Sequence, residues 1–160
     1  MNAGFLPLAL LCAALGMALA KTPLKLAAKA VAVLVVTSLL TYAVVPAEGW
    51  QTPAMLALWI STAITAMLSY LPRRLNGSWV YLASVNAGLW VGVVAHSTGG
   101  GAGIALALPF ALLFLPAAWL VAKDMGAGVK IAASWIVAVS ILAGMVVVSP
   151  TPGYAPDHMQ

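Results

Sequence analysis

Charge is what this sequence has least of. Three acidic and seven basic residues are scattered through 160 positions, so only 6% of the chain is charged. A water-soluble domain carries about 25% charged residues, and a chain this poor in them cannot cover a water-facing surface. Cysteine is nearly absent as well. Cys12 is the single one, which excludes an internal disulfide and any cysteine-based metal spacing. It lies in an apolar run and reads as a small packing residue.

The acidic residues are Glu48, Asp124 and Asp157, and none stands beside a partner suited to acid–base or metal chemistry. A serine or threonine nucleophile would need a base, for which His96 is the one candidate away from the C-terminal tail. The expectation is therefore a chain that is not an enzyme and has no catalytic residues, metal site or cofactor. The net charge of +4 comes from dispersed residues and forms no basic stripe, so nucleic acid is rejected as a partner.

What the sequence has in abundance is apolar length. Hydrophobic residues make up 64% of the chain, and the mean hydropathy is +1.07. A transmembrane helix needs about 20 mostly apolar residues. Six runs qualify: Ala3 to Ala20, Leu26 to Val45, Pro53 to Leu71, Ser78 to Ala95, Ala102 to Ala122, and Val129 to Ser149. Prolines at 46, 53, 72 and 150 punctuate their ends, where a missing N–H is tolerated or stops the helix. The runs are too long and too uniformly apolar for alternating barrel strands.

The expected fold is thus an all-α integral membrane protein of six transmembrane helices. With short connections these should pack as three antiparallel hairpins. Residues 1–149 form a single polytopic domain, followed by a short polar tail at 150–160. "MALA" before Lys21 resembles a signal-peptidase site, but "MNAGF" supplies no basic region ahead of it, so the first run is kept as a helix.

The basic residues occupy alternate connections: Lys21, Lys25 and Lys29 at the first, Arg73 and Arg74 at the third, Lys123 and Lys130 at the fifth. The positive-inside rule puts those connections in the cytoplasm and both termini outside, as in a bacterial inner membrane. Trp50 falls at the outer interface. Tyr70, Trp79, Tyr81 and Trp119 fall near the inner one, while Trp59, Trp90 and Trp135 lie deeper and should pack between helices or against lipid. The turns at Lys21, Arg73 and Lys123 are 52 and 50 residues apart, and "KLAA", "YLAS" and "KIAA" follow them. Regular six-helix topology gives such spacing without an internal repeat.

No Asp, Glu, Lys or Arg sits clearly inside a run, which disfavours transport coupled through a buried carboxylate. Polar residues inside the runs instead form two stripes. Ser61, Thr65 and Ser69 recur every four residues in segment three, with Thr62 alongside. Ser84, Gly88, Gly92 and His96 do the same in segment four, beside Asn86. Such spacing puts residues on one helix face, and "GLWVG" is a GxxxG that lets backbones approach closely. Helix packing is the first reading of both stripes, and the wall of a solute path is the alternative.

Asn86, the most polar residue at mid-depth, must have a hydrogen-bond partner, from a neighbouring helix or from a solute. "HSTGGGAG" joins segments four and five on the expected outer side. It lacks the Lys-Ser/Thr ending of a phosphate loop, so nucleotide is rejected. It reads as a plain turn, with anion binding by His96, Gly99, Gly100 and Gly101 as the sharper candidate. Pro109 and Pro116 should kink segment five.

The residues point to a non-catalytic membrane subunit embedded in the lipid bilayer and packing against other membrane subunits or itself. A homo-oligomeric channel or uncoupled transporter, lined by segments three and four, is the alternative.

Overall fold

The computed structural model describes residues 5–45, 49, 51–71, 75–98 and 101–149. Pro46, Glu48, Trp50, Pro72, Arg73, Arg74, Gly99, Gly100, Pro150 and Asp157, each given a place by the sequence, lie outside the described residues. Everything described is helix or short connection. α1 spans Phe5–Ala18 and runs on as a 3-10 turn, Leu19–Lys21. α2 spans Leu24–Val44, and α3 spans Gln51–Met67 with a 3-10 turn at Leu68–Tyr70. α4 spans Gly77–Ser97. α5 (Gly101–Ala107), a 3-10 stretch (Leu108–Leu113) and α6 (Phe114–Ala122) make one continuous span, and α7 covers Gly126–Val148.

Five of these spans are long and apolar enough to cross a membrane, and the chain is a multi-pass integral membrane protein. The first helix is described only from Phe5. Its described part, Phe5–Lys21, is shorter than the others. It is also enclosed by protein: Pro7 through Ala18 is buried except at Leu10, whereas in α7 only Val129, Ala133, Ile136 and Ser140 are buried. A helix apolar all round belongs at the centre of a bundle.

The helices alternate in direction, but the packing differs from three sequence-adjacent hairpins. Gln51 Nε2 donates to Ser97 O at 2.9 Å, which puts the start of α3 beside the end of α4. At the opposite end Tyr70 Oη donates to Lys130 O at 2.8 Å, joining the end of α3 to the start of α7. The broadest interfaces are α2 with α4, which run parallel, and α3 with α7. α1 and α2 share little surface although only Thr22 and Pro23 separate them. Short loops bring neighbours to the same membrane surface. Which helices then embrace is decided by where small residues let backbones approach.

The expected kink in segment five is a whole 3-10 stretch. Pro109 and Pro116 supply no N–H, so the carbonyls of Ala105 and Leu112 lose their helical partners. Between those two gaps the chain tightens into i→i+3 bonding. α1 accommodates the irregular backbone at Gly16, where a Cβ would stand 2.7 Å from Ala111 O and 3.1 Å from Phe114 N.

The turn into α7 is closed by a C-terminal cap. Met125 N donates to Leu120 O at 2.9 Å and Asp124 N to Val121 O at 3.2 Å, with Asp124 in the left-handed region at φ 58. Aspartate is among the few non-glycine residues that visit this conformation.

The contact at Gly16 predicts a clear contrast. Gly16→Ala should cost about 1–3 kcal/mol through overpacking against rigid backbone. Gly128→Ala, with nothing within 4 Å of its Cβ, should be neutral or mildly stabilising. Thermal unfolding of both variants in one detergent would check this, and equal effects would contradict the α1 packing.

Candidate functional site: the α4 helix and its two faces

Of the residues singled out by the sequence, α4 carries Ser84, Asn86, Gly88, Gly92 and His96, and it places them on more than one side. On one side, Gly88 and Gly92 lie against α2. A Cβ on Gly88 would be 2.7 Å from Thr37 Cβ and 2.8 Å from Leu34 O. On Gly92 it would be 2.7 Å from Thr41 Cβ and 2.9 Å from Tyr42 N, with Ser38 O closer still. Each glycine thus faces the α2 main chain itself, the close approach that small residues permit in lipid.

The hydroxyls near these glycines are satisfied within their own helices. Ser84 Oγ donates to Val80 O at 2.9 Å, and Ser38 Oγ to Val35 O at 2.9 Å. In α3, Thr62 Oγ1 donates to Leu58 O at 2.8 Å. Such bonds let a buried hydroxyl sit in an apolar interface. Ser61, Thr65 and Ser69 are all buried, so the α3 stripe points into the bundle. Ser69 Oγ has no partner among the described residues, while its carbonyl accepts from Lys21 Nζ at 3.3 Å. Lys21 also donates to Leu71 O at 2.8 Å, capping the end of α3 with a cation where the helix dipole favours one. The sequence assigned Lys21 to topology alone.

On the other side of α4, Asn86 is exposed. Its Nδ2 donates to Ser61 Oγ across to α3, and its Oδ1 accepts the Trp90 indole N–H at 3.2 Å. Among the residues flagged as candidates, Asn86 and Ser61 are thus brought together, and Trp90 joins them. The i,i+4 spacing of Asn86 and Trp90 was the available signal for that third member.

His96 reaches across to α2. Its Nδ1 lies 2.8 Å from Tyr42 O, and its ring meets the Tyr42 ring edge-on at 5.2 Å. The reason can be read in α2. The helical partner of the Tyr42 carbonyl would be the N–H of residue 46, which is proline. His96 supplies the missing donor, its Nδ1 carrying the proton in this arrangement. Gly101 opens α5, a Cβ there meeting Tyr42 Oη at 2.8 Å. Of the four outer-turn residues, His96 and Gly101 therefore converge on Tyr42, which the sequence reading passed over.

Grooves of mixed polarity lie beside Lys21 and Thr22 and beside Gln51 and Thr98, while two others have apolar walls. One of 680 Å³ lies between α2 and α4, lined by Leu40, Val44, Leu89, Trp90 and Val93 among others. One of 380 Å³ lies between α3 and α7 near Trp59, Ile60, Ser140 and Gly144. Trp79 and Trp119 are exposed near the span ends, as interface anchors are, whereas Trp135 is 73% exposed in mid-α7. Among the described residues, no group of three His, Cys, Asp or Glu side chains is placed to hold a metal ion.

No protein-family model, curated protein or solved structure matches the chain. The physical class, a multi-pass helical membrane protein, therefore rests on the helices themselves.

Three substitutions on α4 probe its contact with α2. Gly92→Leu should abolish the folded state or cost more than Gly88→Leu, since Ser38 O leaves it less room. His96→Leu should cost about 1–3 kcal/mol by leaving the Tyr42 carbonyl without a donor. Denaturant titration in detergent measures all three, and unchanged stability for Gly92→Leu would show that α2 and α4 do not meet there.

Proposed function

We propose that this protein is a non-catalytic membrane subunit that works by packing its helices within a larger membrane assembly. The observation that carries this reading is the exposed carboxamide of Asn86. It sits near the centre of α4, in a span long and apolar enough to cross the bilayer. A polar group at that depth is costly unless protein surrounds it. A bond from it to another helix contributes about 0.6 to 2 kcal/mol.

The alternative, a solute path along segments three and four, would need free hydroxyls on that stripe. Thr62 and Ser84 donate to their own helices and Ser61 accepts from Asn86, while Ser69 Oγ, without a partner among the described residues, is buried at the end of the stripe. The apolar grooves beside α4 and α7 are better suited to helices or acyl chains than to a hydrated solute.

In the membrane we place both termini outside and the Lys21, Lys123 and Lys130 end in the cytoplasm, as the positive-inside rule directs. The bacterial inner membrane is the setting that fits this orientation. The ends of α1, α3 and α6 and the start of α7 lie together, which supports one basic surface.

Purification of the tagged chain from its native membrane in mild detergent, followed by native mass measurement, tests the function. Stoichiometric membrane subunits of other sequence are expected. A chain that is always alone and conducts a solute in liposomes would overturn the proposal.

Orientation is tested by cysteine labelling, since Cys12 is fully buried. Thr98→Cys should react with an impermeant maleimide added to intact cells, and Asn76→Cys should not. The reverse pattern would invert the topology.

A further inference from the structure

We infer that the outward face of α4 is a self-association surface, on which a second copy of this chain docks about a two-fold axis through Asn86. This deepens the packing reading above and rests on it. Trp79, Leu82, Asn86 and Leu89 follow one another at spacings of three, four and three residues. That is the seam spacing of a left-handed helix pair, in which one polar residue fixes register and oligomer state. All four are exposed: Trp79 by 58%, Leu82 by 59%, Leu89 by 38%, with Asn86 between them.

Hydrogen-bond capacity identifies the occupant. A carboxamide offers two N–H donors and an oxygen with two lone pairs. Ser61 Oγ takes one donor of Asn86, and the Trp90 indole fills one lone pair. One donor and one acceptor remain on the same group, and lipid supplies neither.

Two copies inserted in the same sense share an axis along the membrane normal, so a residue near that axis meets itself at equal depth. Asn86 lies next to the midpoint of Gly77–Ser97 and would meet the second Asn86 in the middle of the bilayer. Donor then faces acceptor twice over. An unrelated helix would have to place its own donor and acceptor at that depth, whereas a second copy does so by symmetry. The GxxxG side is unavailable, because Gly88 and Gly92 are closed by α2.

The test uses the full-length chain, labelled with donor and acceptor dyes in separate batches and reconstituted together in phosphatidylcholine/phosphatidylglycerol vesicles. Energy transfer is followed as the protein is diluted with lipid. Wild type should show a saturable dimer. Asn86→Leu should weaken it by about 8- to 900-fold, the range expected for losing both interchain hydrogen bonds of the symmetric pair, and Asn86→Gln should recover part of the loss.

Because Asn86→Leu also removes the Trp90 partner, disulfide trapping provides a second arm. In a Cys12→Ala background, Leu82→Cys and Leu89→Cys should cross-link between copies, and Leu142→Cys on α7 should not. A chain that stays monomeric at every dilution, or cross-links through α7 alone, overturns the inference. A native complex with a different protein seated against α4 also overturns it, while leaving the packing function standing.

Discussion

The contact of Gly88 and Gly92 with the α2 main chain is the constraint on which the rest of the arrangement depends. Lipid tails are as apolar as leucine, so helices in a bilayer gain little by hiding side chains from their surroundings. What they gain is close van der Waals contact, and only small residues bring two backbones near enough to make much of it. Ser38 and Thr41 on α2 complete that contact from the other side. With α2 and α4 joined in parallel, His96 is carried to the Tyr42 carbonyl that Pro46 leaves without a helical donor. The face of α4 bearing Asn86 is thereby turned away from α2, toward α3 and the surrounding membrane.

The same rule acts at Gly16, where α1 approaches the backbone of the 3-10 stretch. Two prolines disturb that span, and one side of its irregular main chain, at Ala111, rests on a helix buried nearly all round. Non-helical backbone at membrane depth is tolerated where protein covers it. α1 is in this sense the filler of the bundle, while α2 and α7 present most of their surface outward.

Much of this was legible in the sequence. Long apolar runs with proline boundaries located the helices, because lipid leaves the chain few other solutions. The GxxxG and the polar stripes located packing faces, and the spacing of Pro109 and Pro116 located the irregular span. Partner choice was hidden. Short loops point to neighbours in sequence, yet α2 packs broadly on α4 and α3 on α7. That outcome depends on matching surfaces in three dimensions, which periodicity within one helix does not encode. Gly16 was missed because its partner is a distorted backbone nearly a hundred residues away. Tyr42 was missed because its role is played by a carbonyl, a group every residue has. Asn86 was recognised as needing a partner, but its outward exposure depends on which side of α4 the glycines occupy.

The closeness of α2 and α4 is open to direct observation in a bilayer. Solid-state NMR on the reconstituted, isotopically labelled chain should give through-space correlations from Gly92 Cα to the Ser38 carbonyl carbon and from Gly88 Cα to that of Leu34. Their presence in lipid would establish the backbone contact that orients α4. Their absence, with both glycine Cα signals instead correlated to acyl-chain methylenes, would mean that these glycines face lipid and would contradict the account.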